Sequence, residues 1–205
     1  MQELQWNKSE QIIRKFDNEN QDFHIYISNQ AKVKYCAVIA QSQISFTFDI
    51  SDKDSEAECY FLIPAKANQD TTLNIQTNLE SSNTKILIHI IALAADNASI
   101  TLNGNLHIRQ WISKVEARLF EETLLLGKAK YISLVPWLKV DSPDVVASHW
   151  AKVQRISPER LFYMESRGLS AGKTIWMLIN SYSQQIAEKL KLNDQEKSDF
   201  YSMIN

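Results

Sequence analysis

Ser99-Ile100-Thr101-Leu102-Asn103-Gly104-Asn105-Leu106-His107-Ile108 alternates strictly between polar odd positions and mainly apolar even positions. A period of two sends successive side chains to opposite faces, so the stretch reads as a strand with one buried face. Ile44-Ser45-Phe46-Thr47-Phe48-Asp49-Ile50 repeats the pattern. Working outward, strands are predicted at Phe23–Ser28, Lys32–Ala40, Glu58–Ile63, Thr71–Thr77, Lys85–Leu93, Val115–Leu126, Tyr131–Val140 and Val145–Ile156. Polar breaks such as SDKDSE (51–56) and KANQD (66–70) separate them. The alternation runs from about residue 22 to 156, which leaves 1–21 as an N-terminal segment and 157–205 as a separate C-terminal region. Short strands at this spacing suit a sandwich or barrel, and a stacked β-solenoid competes with both. No strict repeat of fixed period decides between them.

At Ser157 the pattern changes. Ser157-Pro158-Glu159 reads as an N-cap, a proline at the first helical position and an acid in the first turn. That helix should run to Arg167 and stop at Gly168. Ser170 can cap a second helix, in which Ile175, Ile179, Tyr182, Ile186 and Leu190 recur at three and four as one apolar stripe. The stripe is expected to pack onto the end of the β stack or to leave a partner-binding face. A third helix is predicted over Asp194–Ser202.

Composition excludes several classes. The 205 residues carry 22 Lys+Arg against 24 Asp+Glu, a net charge of −2, so no overall basic field draws nucleic acid or anionic lipid. The four glycines, Gly104, Gly127, Gly168 and Gly172, permit no G-x-G-x-x-G and no G-x-S-x-G. Gly168-Leu169-Ser170-Ala171-Gly172-Lys173-Thr174 is one residue short of a P-loop, because Arg167 stands where the first glycine belongs. Cys36 and Cys59 are too few for a disulfide framework or a four-cysteine zinc site and read as small buried side chains. The opening MQELQWNKSEQIIRKF has no apolar signal core, and the run Ile86–Ala95 is too short to span a bilayer. A cytoplasmic protein without membrane contact is the expectation.

One stretch carries a family pattern. Pro136-Trp137-Leu138-Lys139-Val140 is followed by Asp144-Val145-Val146-Ala147-Ser148-His149, and then by Ile156-Ser157-Pro158-Glu159-Arg160-Leu161-Phe162-Tyr163-Met164-Glu165-Ser166-Arg167-Gly168-Leu169. With Leu124-Leu125-Leu126-Gly127 upstream, the region from Leu102 to about Leu190 resembles the C-terminal part of the SufB/SufD family of iron–sulfur cluster assembly proteins. The first hundred residues show no such signature, and the chain is about half the usual family length. The resemblance implies a mainly β fold, a right-handed parallel β-helix capped by a small C-terminal α-helical domain. It also implies a non-catalytic, non-ATPase scaffold. Such a subunit pairs through its β-helix with a SufB-like subunit or a second copy, and docks a SufC-like ABC ATPase through its helices. No cofactor is bound stably by the chain alone; a transient iron–sulfur cluster is implied at the subunit interface.

The resemblance assigns His149 to that cluster site as a metal ligand. Read without it, His149 is a partly buried, satisfied histidine on the strand face of Val145 and Ala147. Trp150 stands where the family writes glycine, and a bulky indole there is expected to crowd the histidine. The family's cluster-side cysteine is not matched, which makes the chain SufD-like. Leu161, Phe162, Tyr163, Arg167 and Trp176 are the candidate partner-binding residues. His24, His89 and His107 have no metal-binding spacing, and Glu121-Glu122 cannot form a glycosidase pair because adjacent strand residues face opposite ways. The alternative reading keeps the fold and makes the chain a structural or regulatory adaptor with no part in cluster chemistry.

Overall fold

The computed structural model describes residues 1–204, with the side chains at 158, 160, 161 and 171 outside the description. Twelve strands come first: β1 Gln2–Trp6, β2 Glu10–Asp17, β3 Asn20–Ile27, β4 Lys32–Ala40, β5 Gln43–Ile50, β6 Glu56–Ala65, β7 Asp70–Leu79, β8 Lys85–Ala94, β9 Ser99–Ile108, β10 Val115–Leu125, β11 Tyr131–Val140 and β12 Val145–Arg155. Three helices follow: α1 Pro158–Ser166, α2 Ala171–Leu190 and α3 Asp194–Ile204.

The odd-numbered strands form one six-stranded sheet in the order β1-β3-β5-β7-β9-β11, and the even-numbered strands form the other, β2 to β12. Every pairing is parallel. The chain therefore winds from sheet to sheet, two strands per coil for six coils: a parallel β-helix, not a sandwich or closed barrel. The register explains why no fixed repeat is visible in the sequence. Phe23 lies on Phe46, Phe46 on Ile75 and Gly104 on Pro136, so the coils differ in length.

Residues 1–21 are not a separate segment. They supply β1 and β2, which hydrogen-bond to β3 and β4 as the first coil. Trp6 and Phe16 are buried there and meet Tyr35 and Phe23 at ring-centroid distances of 5.2 and 5.4 Å. The alternation in this stretch is obscured because Gln2, Glu10 and Arg14 occupy inward-facing positions, in register with Phe23, Val33 and Ala37.

The two sheets meet different surroundings. The odd sheet keeps its outer face in water, covered by a polar ladder in which Asn103 donates to Asn74 (2.8 Å), Asn74 to Ser45 (3.3 Å) and Asn78 to Asp49 (2.7 Å). The even sheet is buried on both faces over the C-terminal halves of β4, β6 and β8, where the alternation gives way to runs such as Tyr60-Phe61-Leu62-Ile63. Fully buried strands read as such runs. What covers them is α2, α3 and the turn between them: Ile186, Ala187, Leu190, Leu192, Phe200 and Ile204 pack on Cys36, Val38, Tyr60, Leu62, Ile91, Leu93 and Leu124. The helices thus lie along the side of the stack, not on its end, because the sheet offers its matching apolar strip there.

The signals at the start of α2 and between α1 and α2 hold: Ser170 accepts a hydrogen bond from Lys173 N at 3.4 Å, and Gly168 takes φ +84°. Among the described residues no helix is long and apolar enough to cross a membrane.

Candidate functional site at the open end of the stack

The last coil, β11 and β12, pairs with the rest of the stack on one side only. Strand parity aims Ile132, Leu134, Pro136 and Leu138 of β11, and Val145, Ala147, His149, Ala151 and Val153 of β12, toward the lumen. Among the described residues no further coil covers them. Val153 is 51% exposed, while Leu134, Leu138, Val145 and Ala147 are partly buried on the coil beneath. The first coil is different, since Gln2, Glu10 and Arg14 place polar groups at its inward positions. In the final coil the inward-facing residues with strong polar heads are His149 and, at the end of β12, Arg155.

His149 lies in register with the buried Leu119, and its ring is exposed at this open end. The expected crowding by Trp150 does not occur. Successive strand residues point to opposite faces, so Trp150 sits on the outside of the even sheet. Its ring centroid is 5.4 Å from Phe120, which lies 5.9 Å from His89, itself 6.3 Å from Tyr60. These four residues are in register across β12, β10, β8 and β6 and form one aromatic ladder. Lys189 from α2 leans on it, 5.7 Å from the Tyr60 ring and 3.5 Å from His89 Nδ1. Burial first, and Lys189 second, push His89 down to about 4.

Directly beneath the last coil lies Glu121, which sequence reasoning passed over. Its side chain is completely buried, and neither carboxylate oxygen has a hydrogen-bond partner. It points into the lumen between Ile90 below and Ala151 above. Gly104 opposite makes room: a Cβ there would stand 2.5 Å from Glu121 Oε1 and closer still to Leu119. Burial pushes the carboxyl up to about 8. Thr123, two positions on, also buries an unpartnered hydroxyl. Parity with Leu119 and Thr123 was the available signal for Glu121. Its neighbour Glu122 faces outward, accepting from Gln154 at 2.6 Å and from Tyr182 at 3.4 Å.

The cysteines do not join this site. Cys59 is buried in the lumen in register with Tyr35 and Ile88, while Cys36 is buried under the helices. Burial raises both thiols well above the ordinary range. His24 is held by Asp49 at 2.6 Å and His107 by Asp141 at 3.0 Å on the outer face of the odd sheet. Among the described residues no group of three or more His, Cys, Asp or Glu comes together.

Of the candidate partner-binding residues, Leu161 lies outside the described residues. Phe162, Tyr163 and Trp176 are 72%, 57% and 58% exposed. Arg167 stacks over Tyr163, its guanidinium carbon 5.3 Å from the ring centroid. Tyr163 and Met177 line an apolar groove between α1, α2 and the end of β12, floored by Leu124, Ile156 and Leu178. Trp176 and Met177 border a second hollow beside Tyr201.

A two-sheet parallel β-helix with a helical layer on one flank and a histidine at its open end defines a narrow class. Residues 13–182 match the SufBD core domain of the SUF iron–sulfur cluster assembly system. The chain belongs to that family, and the match begins far upstream of Leu102, where the sequence pattern became legible. Escherichia coli SufD, an iron–sulfur cluster assembly protein, is 29% identical over 99 residues, 48% of this chain and 23% of that protein. Bacillus subtilis SufD is 29% identical over 102 residues, 50% of this chain and 23% of the relative. The SufBD family protein ycf24 of Trieres chinensis is 22% identical over 177 residues, 83% of this chain and 36% of its own length. The matched region therefore spans only about a quarter to about a third of these relatives.

Proposed function

We propose that the chain is a non-ATPase scaffold subunit of a SUF-type assembly complex. It pairs through the open last coil with a second β-helix subunit, either SufB-like or another copy of itself. The observation that carries this reading is the asymmetry of the stack. The inward positions of the first coil mix Gln2, Glu10 and Arg14 with Leu4, Trp6, Ile12 and Phe16, whereas those of the last coil are apolar apart from His149 and, at the strand's end, Arg155. Unpaired strand edges over an apolar lumen are the surface that a natural β stack normally caps. In this reading a transient iron–sulfur cluster passes at that junction, with His149 contributing an imidazole and the partner contributing thiolates. The two buried cysteines sit on adjacent strands but face opposite sides of the even sheet, and two thiols are too few for a four-thiolate cluster held by this chain alone.

The exposed Phe162, Tyr163, Arg167 and Trp176 on the flanking helices serve as the dock for a SufC-like ABC ATPase. That partner supplies ATP hydrolysis. Co-expression with such an ATPase and a SufB-like subunit, followed by weighing the purified complex, tests the scaffold role. Recovery of the chain free of both partners overturns it. A separate test is His149→Ala. Loss of cluster assembly with an intact complex supports the chemical role, and normal assembly favours the pure adaptor.

A further inference from the structure

On the outer faces of the stack, side chains line up in columns from coil to coil, and three columns change character at the last coil. Thr47, Gln76 and Asn105 stand in register across the odd sheet and are followed by Trp137. Beside them Ser45, Asn74 and Asn103 are followed by Val135. On the even sheet Lys32, Glu56, Lys85 and Glu116 alternate in charge, with ion pairs of 2.8 Å for Lys32–Glu56 and 3.1 Å for Lys85–Glu116, and Val146 ends the column. Trp137, Val135 and Val146 are each more than half exposed. Among the described residues, the exposed large apolar side chains of the stack all belong to the last coil, except Met1 and Trp111. Single apolar residues scattered on a surface need no explanation. Apolar ends on three polar columns of two different sheets do, because these side chains point away from the lumen and owe nothing to its packing.

The same coil is basic. Residues 128–155 carry five Lys and Arg against two Asp, a net +3 in a chain whose total is −2. Lys128, Lys130 and Arg155 are exposed and, among the described residues, have no carboxylate within ion-pair distance. We infer that the partner of the last coil is a non-identical subunit with an acidic surface, which overhangs the end of the stack onto both outer faces and covers Trp137, Val135 and Val146. The inference rests on the scaffold reading above and decides between its two partners. A second copy meeting this end through a twofold axis presents the same patch to itself, so +3 faces +3. Like charges brought together in that way oppose association, whereas an acidic partner gains steering and register from the same cations. A nucleic-acid strand would use the cations and the indole, but it would leave the unpaired strand edges and Val146 on the opposite sheet uncovered.

The test mixes the full chain with a separately purified SufB-like subunit and follows binding by surface plasmon resonance. Association should slow several-fold on going from low to high salt. The double variant Val135→Ser, Trp137→Ser should speed dissociation by at least about tenfold, and Val146→Ser should speed it several-fold. The double variant Lys128→Glu, Lys130→Glu should slow association with little change in dissociation. Thr47→Val, in the column of Trp137 but three coils away, should change neither rate. Circular dichroism on each variant checks the fold. A wild-type complex whose dissociation is unchanged by the Val135/Trp137 and Val146 variants overturns the overhang and leaves the scaffold role standing. A salt-independent association rate overturns the acidic partner. So does a wild-type homodimer in sedimentation equilibrium that the Val135/Trp137 variant disperses, which would name the second copy. Micromolar binding of a single-stranded oligothymidylate that the Lys128/Lys130 variant abolishes would name a nucleic acid instead. No complex between the wild type and the SufB-like subunit sinks the inference and the scaffold role together.

Discussion

Glu121 makes a quantitative demand on stability that Glu121→Gln can expose. In the folded chain burial holds the carboxyl up at about 8, against an ordinary glutamate value of 4.5. The native state therefore binds the proton more tightly than the unfolded state does. Stability linked to this group is fully present below pH 4.5 and is lost as pH rises through 8. Between those limits the slope is about 1.4 kcal/mol per pH unit, which amounts to roughly 3 kcal/mol by neutral pH. That is a large share of a typical folding free energy. Glu121→Gln keeps the shape and removes the titration. Urea unfolding of both proteins from pH 5 to 8.5, without added metal, should show the wild type losing stability steadily relative to the variant. Taking the difference cancels His24, His89 and His107, which both proteins share. Parallel pH profiles for the two would refute the argument that Glu121 is buried without a partner.

Three further outcomes are expected. Gly104→Ala places a Cβ against the Leu119 side chain and 2.5 Å from Glu121 Oε1, so it should cost about 1–3 kcal/mol in denaturant melts; Glu121→Gln does not relieve the clash with Leu119. Lys191 caps α2 at φ 57°, in the left-handed region, where Lys191→Gly should raise stability by about 0.5–1 kcal/mol, read as a higher urea midpoint with unchanged slope. His89 titrates in the opposite sense to Glu121: its native value is lowered to about 4, so its contribution is present above pH 6.5 and lost as pH falls toward 4. His89→Phe should flatten that acid limb of the melting-temperature profile.

Local structure was legible where a single strand or helix carries its own signal. Ile100 to Ile108 and Ile44 to Ile50 alternate because one face of each meets the lumen and the other meets water. Ser157-Pro158 and Gly168 marked the ends of α1 because caps and left-handed turns are local chemistry. The first coil was missed because Glu10 and Arg14 stand at inward positions, breaking the apolar period that would have announced it. The low glycine content was no obstacle to tight corners. Asn18, Asn29, Asn68, Asn83 and Asn97 take the positive φ there, since asparagine tolerates that region better than other side chains.

By itself the sequence determined the strands, the helices, the switch between them near Ser157 and the family pattern around His149. Each is written in residues close together along the chain. The tertiary structure decided what depends on coils stacking at unequal lengths. It laid α2 along the flank of the even sheet, because only there does a strip of outward apolar side chains from four strands line up. It turned Trp150 onto Phe120 and away from His149, through alternation that the in-register coil beneath makes concrete. It also brought Gly104, Glu121 and Ala151 together from three strands, which makes a buried acid at the mouth of the stack. No spacing within one strand encodes that meeting; it follows from which residues stack in register across sheets.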